Sequence, residues 1–365
     1  MVSEVLVLGG GLAGAAAALE LAQAGVPVRV LERSEKAHHK VCGEFVSIEV
    51  QHDLARLGID FAELGAVPID RIRLIGCGRR IEAGLPFRAL GVSRAVLDEA
   101  LLQAAQQAGA VIERGVKVTG MHGQDITTSH GSRRAARVLL ATGKHDVRGM
   151  ARMTLRASRS YLGFKMHWQL ASAQAEELGS AVELVMFSGG YVGFQRIASD
   201  TMNMSLLVET ERFGEIGARW ELLVENLCRE GHVARRLKDA RALFARPLTI
   251  ANLPYGYVCD PDIAGPGNLF RLGDQGGLTA PLTGDGMAIA TRSARMAVSC
   301  CLADLGPTEY HRQLCRSITP QVRRAMLLQS LVGMPTAMPL ALGLLGLCPS
   351  LLGAVARLTR IVERN

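Results

Sequence analysis

The chain opens with an apolar run, a cluster of glycines and an alanine-rich segment. Residues 4–8 are almost entirely apolar, which is typical of a strand buried on both faces of a parallel sheet. Residues 13–24 predict a helix that ends at Gly25, because glycine is favoured just beyond a helix end. A second strand is predicted at 28–32, so the opening of the chain is one βαβ unit.

Strand-like and helical patterns alternate along the rest of the chain. Polar and apolar residues alternate at 69–92, which predicts antiparallel strands, and Ser93 is expected to cap a helix at 94–108. Further strands are predicted at 111–120, 136–141, 161–170, 181–187, 190–197, 202–209 and 269–272. Helical stretches are predicted at about 211–240 and 285–304.

Because the two kinds of pattern interleave, the predicted domains are discontinuous. We expect an α/β fold whose first domain is built from residues 1–68, 93–150 and 266–310. The second domain would be an antiparallel β-sheet domain made of residues 69–92 and 151–265. Residues 311–365 would form a helical, apolar C-terminal segment.

The C-terminal segment is unusual because residues 325–356 contain no charged side chain. That length exceeds the roughly 20 apolar residues that span a bilayer. Pro335, Pro339 and Pro349 interrupt it, and proline costs about 3 kcal/mol in a helix interior, so short helices packed on the body are expected. An alternative is a flap that touches a membrane or shelters a lipophilic substrate. Arginines that suit anionic headgroups flank the segment: Arg323, Arg324, Arg357 and Arg360.

Composition narrows the classes of partner. The 365 residues include 41 basic and 34 acidic side chains, but aromatics are only 4% and no helix-turn-helix or zinc-finger pattern occurs, so nucleic acid is not expected. The eight cysteines form no CxxC pair and no signal-peptide pattern is visible, which favours a cytoplasmic protein, with membrane association as the alternative. His38 and His39 have no third ligand at metal-binding spacing, so no metal is expected.

The glycines, 40 in all, supply the first chemical signal. Residues 9–14 read Gly-Gly-Gly-Leu-Ala-Gly and contain GxGxxG between a predicted strand and a predicted helix. In this dinucleotide fingerprint Gly9 allows the tight turn, Gly11 lets backbone approach a pyrophosphate, and Gly14 lets the helix press on the strand. Glu32, at the end of the next strand, can accept hydrogen bonds from ribose hydroxyls.

A second pair of glycine turns lies about 260 residues further on. Gly273-Asp274 follows a predicted strand, and residues 281–287, Pro-Leu-Thr-Gly-Asp-Gly-Met, open a helix. This arrangement resembles FAD-dependent oxidoreductases of the para-hydroxybenzoate hydroxylase and geranylgeranyl reductase superfamily. The resemblance implies a Rossmann-like FAD-binding domain with Asp274 on the ribityl chain. It also implies that the turn from Gly284 to Met287 faces the flavin N1–C2 carbonyl, where a helix N-terminus stabilises negative charge.

Other segments extend the resemblance. Arg94 matches the family's cofactor-contacting arginine, residues 139–143 match the strand-turn at the adenosine, and residues 40–44 match a KxCG segment beside the isoalloxazine. The cofactor-binding residues that the motifs imply are Gly9, Gly11, Leu12, Ala13, Gly14, Glu32, Arg33, Lys40, Cys42, Gly43, Arg94, Ala141, Thr142, Gly143, Gly273, Asp274, Pro281, Gly284, Asp285, Gly286 and Met287.

The dinucleotide fingerprint occurs once, so NAD(P)H would bind only transiently as an electron donor, or a redox partner would supply electrons. We expect an FAD-dependent oxidoreductase acting on a hydrophobic small molecule, with monooxygenase-type hydroxylation of an aromatic or polyketide-like substrate, as in secondary metabolism. The alternative is reduction of carbon–carbon double bonds in an isoprenoid or polyketide, with Cys42 or Tyr191 as the proton donor. A third hypothesis is a non-catalytic protein that binds flavin and lipid.

Overall fold

The computed structural model describes residues 4–152, 160–229, 231–332 and 337–360. Its strands, in chain order, are β1 (Val5–Leu8), β2 (Val28–Glu32), β3 (Phe45–Val46), β4 (Val67–Gly76), β5 (Arg79–Gly91), β6 (Val111–Arg114), β7 (Val118–His122), β8 (Asp125–Thr128), β9 (Gly131–Arg134), β10 (Arg137–Leu140), β11 (Tyr161–Gln169), β12 (Ala181–Phe187), β13 (Gly190–Arg196), β14 (Thr201–Glu209), β15 (Arg241–Ala242), β16 (Leu248–Ala251), β17 (Tyr257–Val258), β18 (Leu269–Arg271) and β19 (Gly277–Leu278). Its α-helices are α1 (Leu12–Gln23), α2 (Ile48–Arg56), α3 (Arg94–Gln107), α4 (Ser172–Leu178), α5 (Thr210–Glu215), α6 (Trp220–Cys228), α7 (Gly231–Leu237), α8 (Gly286–Leu302), α9 (Pro307–Val332), α10 (Ala337–Leu347) and α11 (Ser350–Leu358).

A five-stranded parallel sheet in the order β18-β10-β1-β2-β6 forms the centre of the first domain. Its middle strand β1 is fully buried, as the apolar run predicts, because both faces of the sheet are covered. Helices α1, α3 and α8 pack in one core cluster with this sheet. Met121 and Ile126, from a three-stranded meander of β7, β8 and β9, help to close the other face.

The second sheet is larger and mixed. Its main path is β15-β11-β14-β13-β12-β4-β5-β3, and β16 pairs with β11. We expected antiparallel pairing throughout this domain, but β4 and β12 run parallel because the chain leaves the sheet between them. The predicted α/β fold, with a Rossmann-like sheet, a second sheet domain and a helical C-terminal segment, is confirmed.

The two faces of the second sheet differ. Val192 and Phe194 on β13 point into an apolar cluster that includes residues of α4, α6 and α7. Because side chains alternate along a strand, Tyr191 and Gly193 lie on the opposite face. The segment before β3 approaches this opposite face, and β3 itself pairs with β5. The face that carries Tyr191 and Gly193 therefore looks toward the first domain.

Several elements differ from the sequence prediction. The stretch predicted as helical at 211–240 is three short helices, and Ala218 and Asp239 adopt a positive φ where helical segments end. The strand predicted at 111–120 is two strands, β6 and β7, whereas α2, β8 and β9 have no counterpart in the prediction. In the C-terminal segment α9 runs for 26 residues and tolerates Pro320 in its interior.

Among the described residues, no single helix is both long and apolar enough to cross a membrane. Met338–Leu347 and Ser350–Leu358 meet the length and composition criteria only as a pair, and they are bent by 117° relative to each other.

A buried ion cluster on β12 generates a stability prediction. The Glu183 carboxylate accepts from Arg236 at 2.8 and 3.0 Å, from Arg73 at 3.0 Å, and lies 2.9 Å from His232 Nε2. Burial alone would raise the pKa of Glu183, but the hydrogen bond with His232 and the charge of Arg236 outweigh it and lower the pKa to about 2. The native state thus gains stability from Glu183 above the unfolded carboxyl pKa of about 4.3, and loses it as pH falls toward 2.

We expect Glu183→Gln to destabilise the protein by about 3 kcal/mol at neutral pH, because it removes the buried counter-ion that two guanidinium groups share and leaves Arg73 with Glu82 and Arg236 with the more distant Glu177. The free energy of unfolding, measured by urea titration between pH 7 and 3, should also lose part of its acid-dependent decline. Glu225→Gln, at an exposed pair 3.8 Å from Arg229, is the control and should change stability by less than about 1 kcal/mol. Equal effects of the two substitutions would contradict the assignment.

Candidate active site

The first glycine turn is shaped by close backbone approach. Gly9 has φ +108°, and a Cβ there would lie 2.5 Å from the carbonyl oxygen of Ala141. A Cβ at Gly14 would lie 1.9 Å from the carbonyl oxygen of Gly9, so α1 presses directly on the turn. A Cβ at Gly11 would meet no atom closer than Lys40 Nζ, at 3.4 Å. Gly9 and Gly14 are therefore required by packing, whereas Gly11 leaves open space in front of α1.

Two cations face that open space. Helix α1 begins at Leu12, Ala13 follows it, and the N-cap Gly11 supplies no side-chain cap, so the first N–H groups of the helix point toward the space. Asp98 holds both cations by accepting from Lys40 Nζ at 2.6 Å and from Arg94 at 2.8 and 2.9 Å.

The pairing with Arg94 and Lys40 also affects the ionisation of Asp98. Burial opposes ionisation of Asp98, but the charges of Arg94 and Lys40 outweigh it and lower the pKa of the Asp98 carboxyl. A helix N-terminus, bare backbone and two oriented cations together fit a diphosphate. This cradle is the observation on which we accept FAD as the cofactor of this site.

The next part of the cleft is lined by Gly10, Glu32, Lys36, Ala37, His38, Lys40, Ala95, Asp98, Glu99, Leu102 and Arg114. Glu32 is buried, and its carboxylate accepts from Gly10 N at 2.7 Å and from Ser34 N at 2.9 Å. Arg33 is exposed and lies 3.1 Å from His145. The structure thus places Glu32 in the glycine turn itself, and Arg33 at the outer edge of the site.

The strand-turn at 141–143 meets the second glycine motif. Gly143 has φ +61°, and a Cβ there would lie 4.0 Å from Asp274 Oδ2. Gly273 has φ +56°, and its N–H donates to Ser293 Oγ at 2.8 Å, which ties the turn to α8. Thr142 donates its hydroxyl to the carbonyl of His145 and shapes the loop. Segments 130 residues apart in sequence therefore meet at one edge of the parallel sheet.

The turn at residues 281–287 lies against Phe45, the residue that follows the KxCG segment. Pro281 starts a single 3-10 turn, and Gly284 follows in the left-handed region at φ +71°. A Cβ at Gly284 would lie 3.1 Å from the ring of Phe45. Helix α8 begins at Gly286, and Met287 is buried behind it.

Asp285 carries its side chain away from this turn. Its carboxylate is buried, accepts from Gln321 Nε2 at 2.9 Å and pairs with Arg360 Nη2 at 3.0 Å. Burial raises the pKa of Asp285 to about 6, although the charge of Arg360 opposes the rise. The motif placed Asp285 among the cofactor residues, but its carboxylate serves the contact with the C-terminal helices.

Arg360 connects three parts of the site. From the sequence it was identified only as one of the arginines that flank the uncharged C-terminal segment. Its guanidinium donates to the carbonyl of Thr283 and lies 6.0 Å and 5.4 Å from the ring centroids of Phe45 and Phe87. No local pattern marks this arginine, because all these partners are distant in sequence. The end of α11 therefore rests on the turn that opens α8.

Amide side chains of the second sheet hold the segment Cys42-Gly43-Glu44 by hydrogen bonds. Asn203 Nδ2 donates to the carbonyls of Cys42 at 3.1 Å and Gly43 at 2.7 Å, and Gln195 Nε2 donates to the carbonyl of Glu44 at 2.7 Å. Cys42 is half-buried, and its sulfur accepts from the N–H of Glu44 at 3.3 Å and lies 3.9 Å from Arg94 Nη1. The thiol therefore faces the same guanidinium that faces the diphosphate cradle.

Glu44 is the centre of a buried charge network. Its carboxylate accepts from the N–H of Arg94 at 2.7 Å, and it lies 2.5 Å from Lys165 Nζ and 2.7 Å from His167 Nε2. Burial would raise the pKa of Glu44, but the His167 hydrogen bond and the Lys165 charge lower it. Burial lowers the pKa of the Lys165 ammonium. Lys165 and His167 were not identified from the sequence. They alternate with apolar residues in Phe-Lys-Met-His-Trp, a pattern that predicts a strand with one polar face.

His39 completes a group of potential metal ligands with Glu44 and His167, whose donor atoms lie within 4.8 Å of one another. Glu44 is already engaged by an ammonium and a backbone N–H. Burial, with smaller contributions from His167 and the charge of Lys165, lowers the pKa of His39 to about 4. In this structure the group is an ion-paired network.

Glycines leave the middle of the sheet face bare. Gly193 pairs with Ser205, and a Cβ at Gly43 would lie 3.8 Å from the Ser205 hydroxyl. A Cβ at Gly163 would lie 3.6 Å from the Val41 side chain. The KxCG segment can therefore lie close to the sheet.

Tyr191 lies beyond this bare patch. It is two residues, or about 7 Å, from Gly193 along β13, and packs in an apolar cluster with Leu342 of α10 and Leu352 of α11. Burial strongly raises the pKa of Tyr191, with Tyr255 and Tyr161 adding to the effect. The bare patch thus lies between the polar residues around Glu44 and the apolar residues around Tyr191.

We expect replacement by alanine to affect FAD affinity at Gly11, in the cradle, but not at Gly214. Gly11→Ala should fold normally, since Gly11 has an ordinary extended conformation, but its methyl group would occupy the space of the diphosphate. We expect FAD affinity to fall by about tenfold or more, measured by flavin absorbance after gel filtration. Gly214→Ala, where a Cβ meets nothing within 4 Å, is the matched control. Wild-type FAD retention by Gly11→Ala would show that the diphosphate lies elsewhere.

Arg360 predicts a coupling between the C-terminal helix and cofactor binding. Arg360→Ala leaves Asp285 buried without its cation, so we expect weaker FAD binding and a looser turn. Asp285→Asn combined with Arg360→Ala should recover part of the affinity, because the unpaired charge is gone. FAD titrations of the single and double variants measure this. Arg357→Ala, at an exposed arginine in the last turn of α11, is the control, and identical losses in the single and double variants would refute the coupling.

Comparisons with known proteins agree with this geometry. A family model described as an FAD binding domain matches residues 2–138. A tryptophan 2-halogenase from Chondromyces crocatus is 26% identical over 323 residues, which covers 81% of this chain and 60% of the halogenase. A menaquinone reductase from Mycobacterium tuberculosis is 25% identical over 373 residues, which covers 93% of this chain and 87% of the reductase. The chain thus spans less than two thirds of the halogenase's length.

Among solved structures, a flavin-dependent brominase superposes with a TM-score of 0.80 at 16% identity, covering 98% of this chain and 93% of the brominase. A flavoprotein/dehydrogenase from Cytophaga hutchinsonii superposes with a TM-score of 0.71 at 18% identity, covering 88% and 84% of the two chains. The relatives include halogenases besides a reductase, so the match is broader than the hydroxylase and geranylgeranyl reductase branches. The family model for an FAD binding domain thus matches residues 2–138, and the chain as a whole has the fold of the flavin-dependent brominase.

Proposed function

We propose that this protein is an FAD-dependent reductase that saturates a carbon–carbon double bond of an apolar isoprenoid or polyketide substrate, with Cys42 as the proton donor. The observation that carries the proposal is the position of the Cys42 thiol. It is half-buried where the Arg94 guanidinium, the bare glycine patch and the Glu44 network meet. When bound and reduced by an electron donor, the flavin would supply the hydride, and a reduction of this kind also needs a proton from the protein.

A hydrogen-bond donor and a cation lie beside the Cys42 sulfur. It accepts a hydrogen bond from the N–H of Glu44 at 3.3 Å and lies 3.9 Å from Arg94 Nη1. Such groups can compensate the negative charge that develops on a proton donor during the transfer. Asn203 holds the peptide on both sides of Gly43, so the sulfur keeps a defined position.

Tyr191, the other acid predicted from the sequence, has no such support. Its neighbours include Leu207, Met186 and the C-terminal leucines, and a phenolate among them would lie in apolar surroundings. The strongly raised pKa of Tyr191 expresses this cost. We therefore assign Tyr191 to the wall of the apolar substrate site and not to proton transfer.

The arrangement of the sheet face supports an elongated apolar substrate. One end presents Glu44, Lys165 and His167, the middle carries glycines against which the KxCG segment lies, and the other end presents Tyr191 and its apolar neighbours. A substrate lying along this face would place a reactive bond beside Cys42 and its hydrocarbon part under α10 and α11. One relative carries the name menaquinone reductase, which is in keeping with a lipophilic substrate.

The test is a product analysis that separates reduction from hydroxylation. Enzyme reduced with dithionite is mixed with menaquinone-4 or geranylgeranyl diphosphate without oxygen, and the products are then exposed to air and analysed by mass spectrometry. We expect a stable gain of two hydrogens, since a quinol returns to the quinone in air whereas a saturated double bond does not. A gain of one oxygen atom, seen only when oxygen is admitted during turnover, would replace reduction by the hydroxylation expected from the sequence.

Cys42→Ala is expected to lower the rate of reduction by about 10²-fold or more while FAD remains bound. Cys77→Ala removes an exposed thiol on the β4–β5 turn and serves as the matched control. Tyr191→Phe keeps the ring and removes the hydroxyl, so its rate should stay within about tenfold of the wild type. Unchanged turnover in Cys42→Ala with a large loss in Tyr191→Phe would move the proton donor to Tyr191.

A further inference from the structure

The outer surface of the C-terminal helices is unusually apolar. Leu342 and Leu352 face inward and join the apolar cluster that covers the second sheet. The opposite side of α10 and α11 carries leucines that are 46–86% exposed: Leu340, Leu344, Leu347, Leu351 and Leu358. Solitary exposed apolar residues are normal on proteins. Five on one short helical hairpin form an exposed apolar patch, and such patches usually mark a binding surface.

The charged residues of the C-terminal segment are of one sign. No acidic residue occurs between residues 310 and 362, whereas this stretch contains six arginines. Arg323 on α9 and Arg357 on α11 are exposed, and Arg79 Nη1 lies 3.6 Å from where a Cβ on Gly346 would be. An apolar face whose own segment carries arginines and no acidic residue is complementary to a surface that is apolar inside and anionic outside.

We propose that the α10–α11 hairpin docks the protein on the surface of an anionic phospholipid bilayer. The exposed leucines enter the boundary between headgroups and acyl chains, and the arginines contact the lipid phosphates. Neither helix is long enough to span, since α10 has 11 residues and α11 has 9, against about 20 for a bilayer. Their 117° bend is that of a hairpin lying in the interface.

Docking in this way puts the substrate site next to the lipid. The inner side of the same hairpin, through Leu342 and Leu352, covers the apolar end of the sheet face near Tyr191. Only one layer of helix would then separate the bilayer from that end, so a lipophilic molecule could reach it without crossing water. This consequence rests on the proposed function, whereas the docking itself does not.

The experiment is co-sedimentation of the FAD-loaded protein with vesicles. Vesicles of phosphatidylcholine alone are compared with vesicles containing phosphatidylglycerol, at low and high salt. We expect binding to the anionic vesicles, weakened at least about tenfold by Leu344→Glu combined with Leu347→Glu. Arg323→Gln combined with Arg357→Gln should remove most of the salt dependence. Ile263→Glu, at another exposed apolar residue, is the matched control and should bind like the wild type.

Each alternative outcome is decisive. Absence of sedimentation with either vesicle, or sedimentation that the leucine variant does not change, would overturn the proposal. If light scattering after gel filtration instead shows a dimer that the leucine variant dissociates, a second copy of the chain covers the hairpin and the membrane is not its partner. None of these measurements depends on enzyme turnover. A negative result would therefore contradict membrane docking without contradicting the proposed reduction.

Discussion

The placement of the candidate active site depends on one buried carboxylate. Glu44 lies between the two sheets and binds groups from both sides: the N–H of Arg94 at the start of α3, and Lys165 and His167 on β11. A carboxylate removed from water in this way is costly unless cations and donors compensate it, and here they do. The peptide around Glu44 is in turn held by the amides of Asn203 and Gln195. The position of the Cys42 thiol follows from these contacts.

The same face of the second sheet carries two kinds of surface because of strand register. Lys165 pairs with Ser205 and His167 with Asn203, so polar side chains from neighbouring strands collect at one end. Four residues further along β14 than Asn203, Leu207 pairs with Tyr191, and the face has become apolar. Glycines on neighbouring strands let the KxCG segment lie close to this face. The face thus changes from charged to apolar on either side of the segment that carries Cys42.

How much could be predicted from the sequence depends on the range of the interactions. The glycine turns were recognisable because their chemistry is local: Gly9 and Gly14 are required by contacts within a few residues and one neighbouring strand. The Lys165–Glu44 pair joins residues 121 positions apart, and strand alternation shows which face Lys165 occupies but not what lies opposite. Asp285 lies in a motif that is recognisable from the sequence, but the direction of its carboxylate is not. That direction depends on Gln321 and Arg360, which are distant in sequence.

The contact between Arg360 and Asp285 makes the cofactor turn and the C-terminal hairpin parts of one thermodynamic system. If the bound cofactor orders the turn at residues 281–287, it also favours the docked position of α11, since Arg360 bridges the two. Linkage is reciprocal, so whatever holds the hairpin in place must raise cofactor affinity by the same factor. A surface that captures the hairpin would thereby also retain the flavin, and the protein would be most fully loaded where its apolar hairpin is covered.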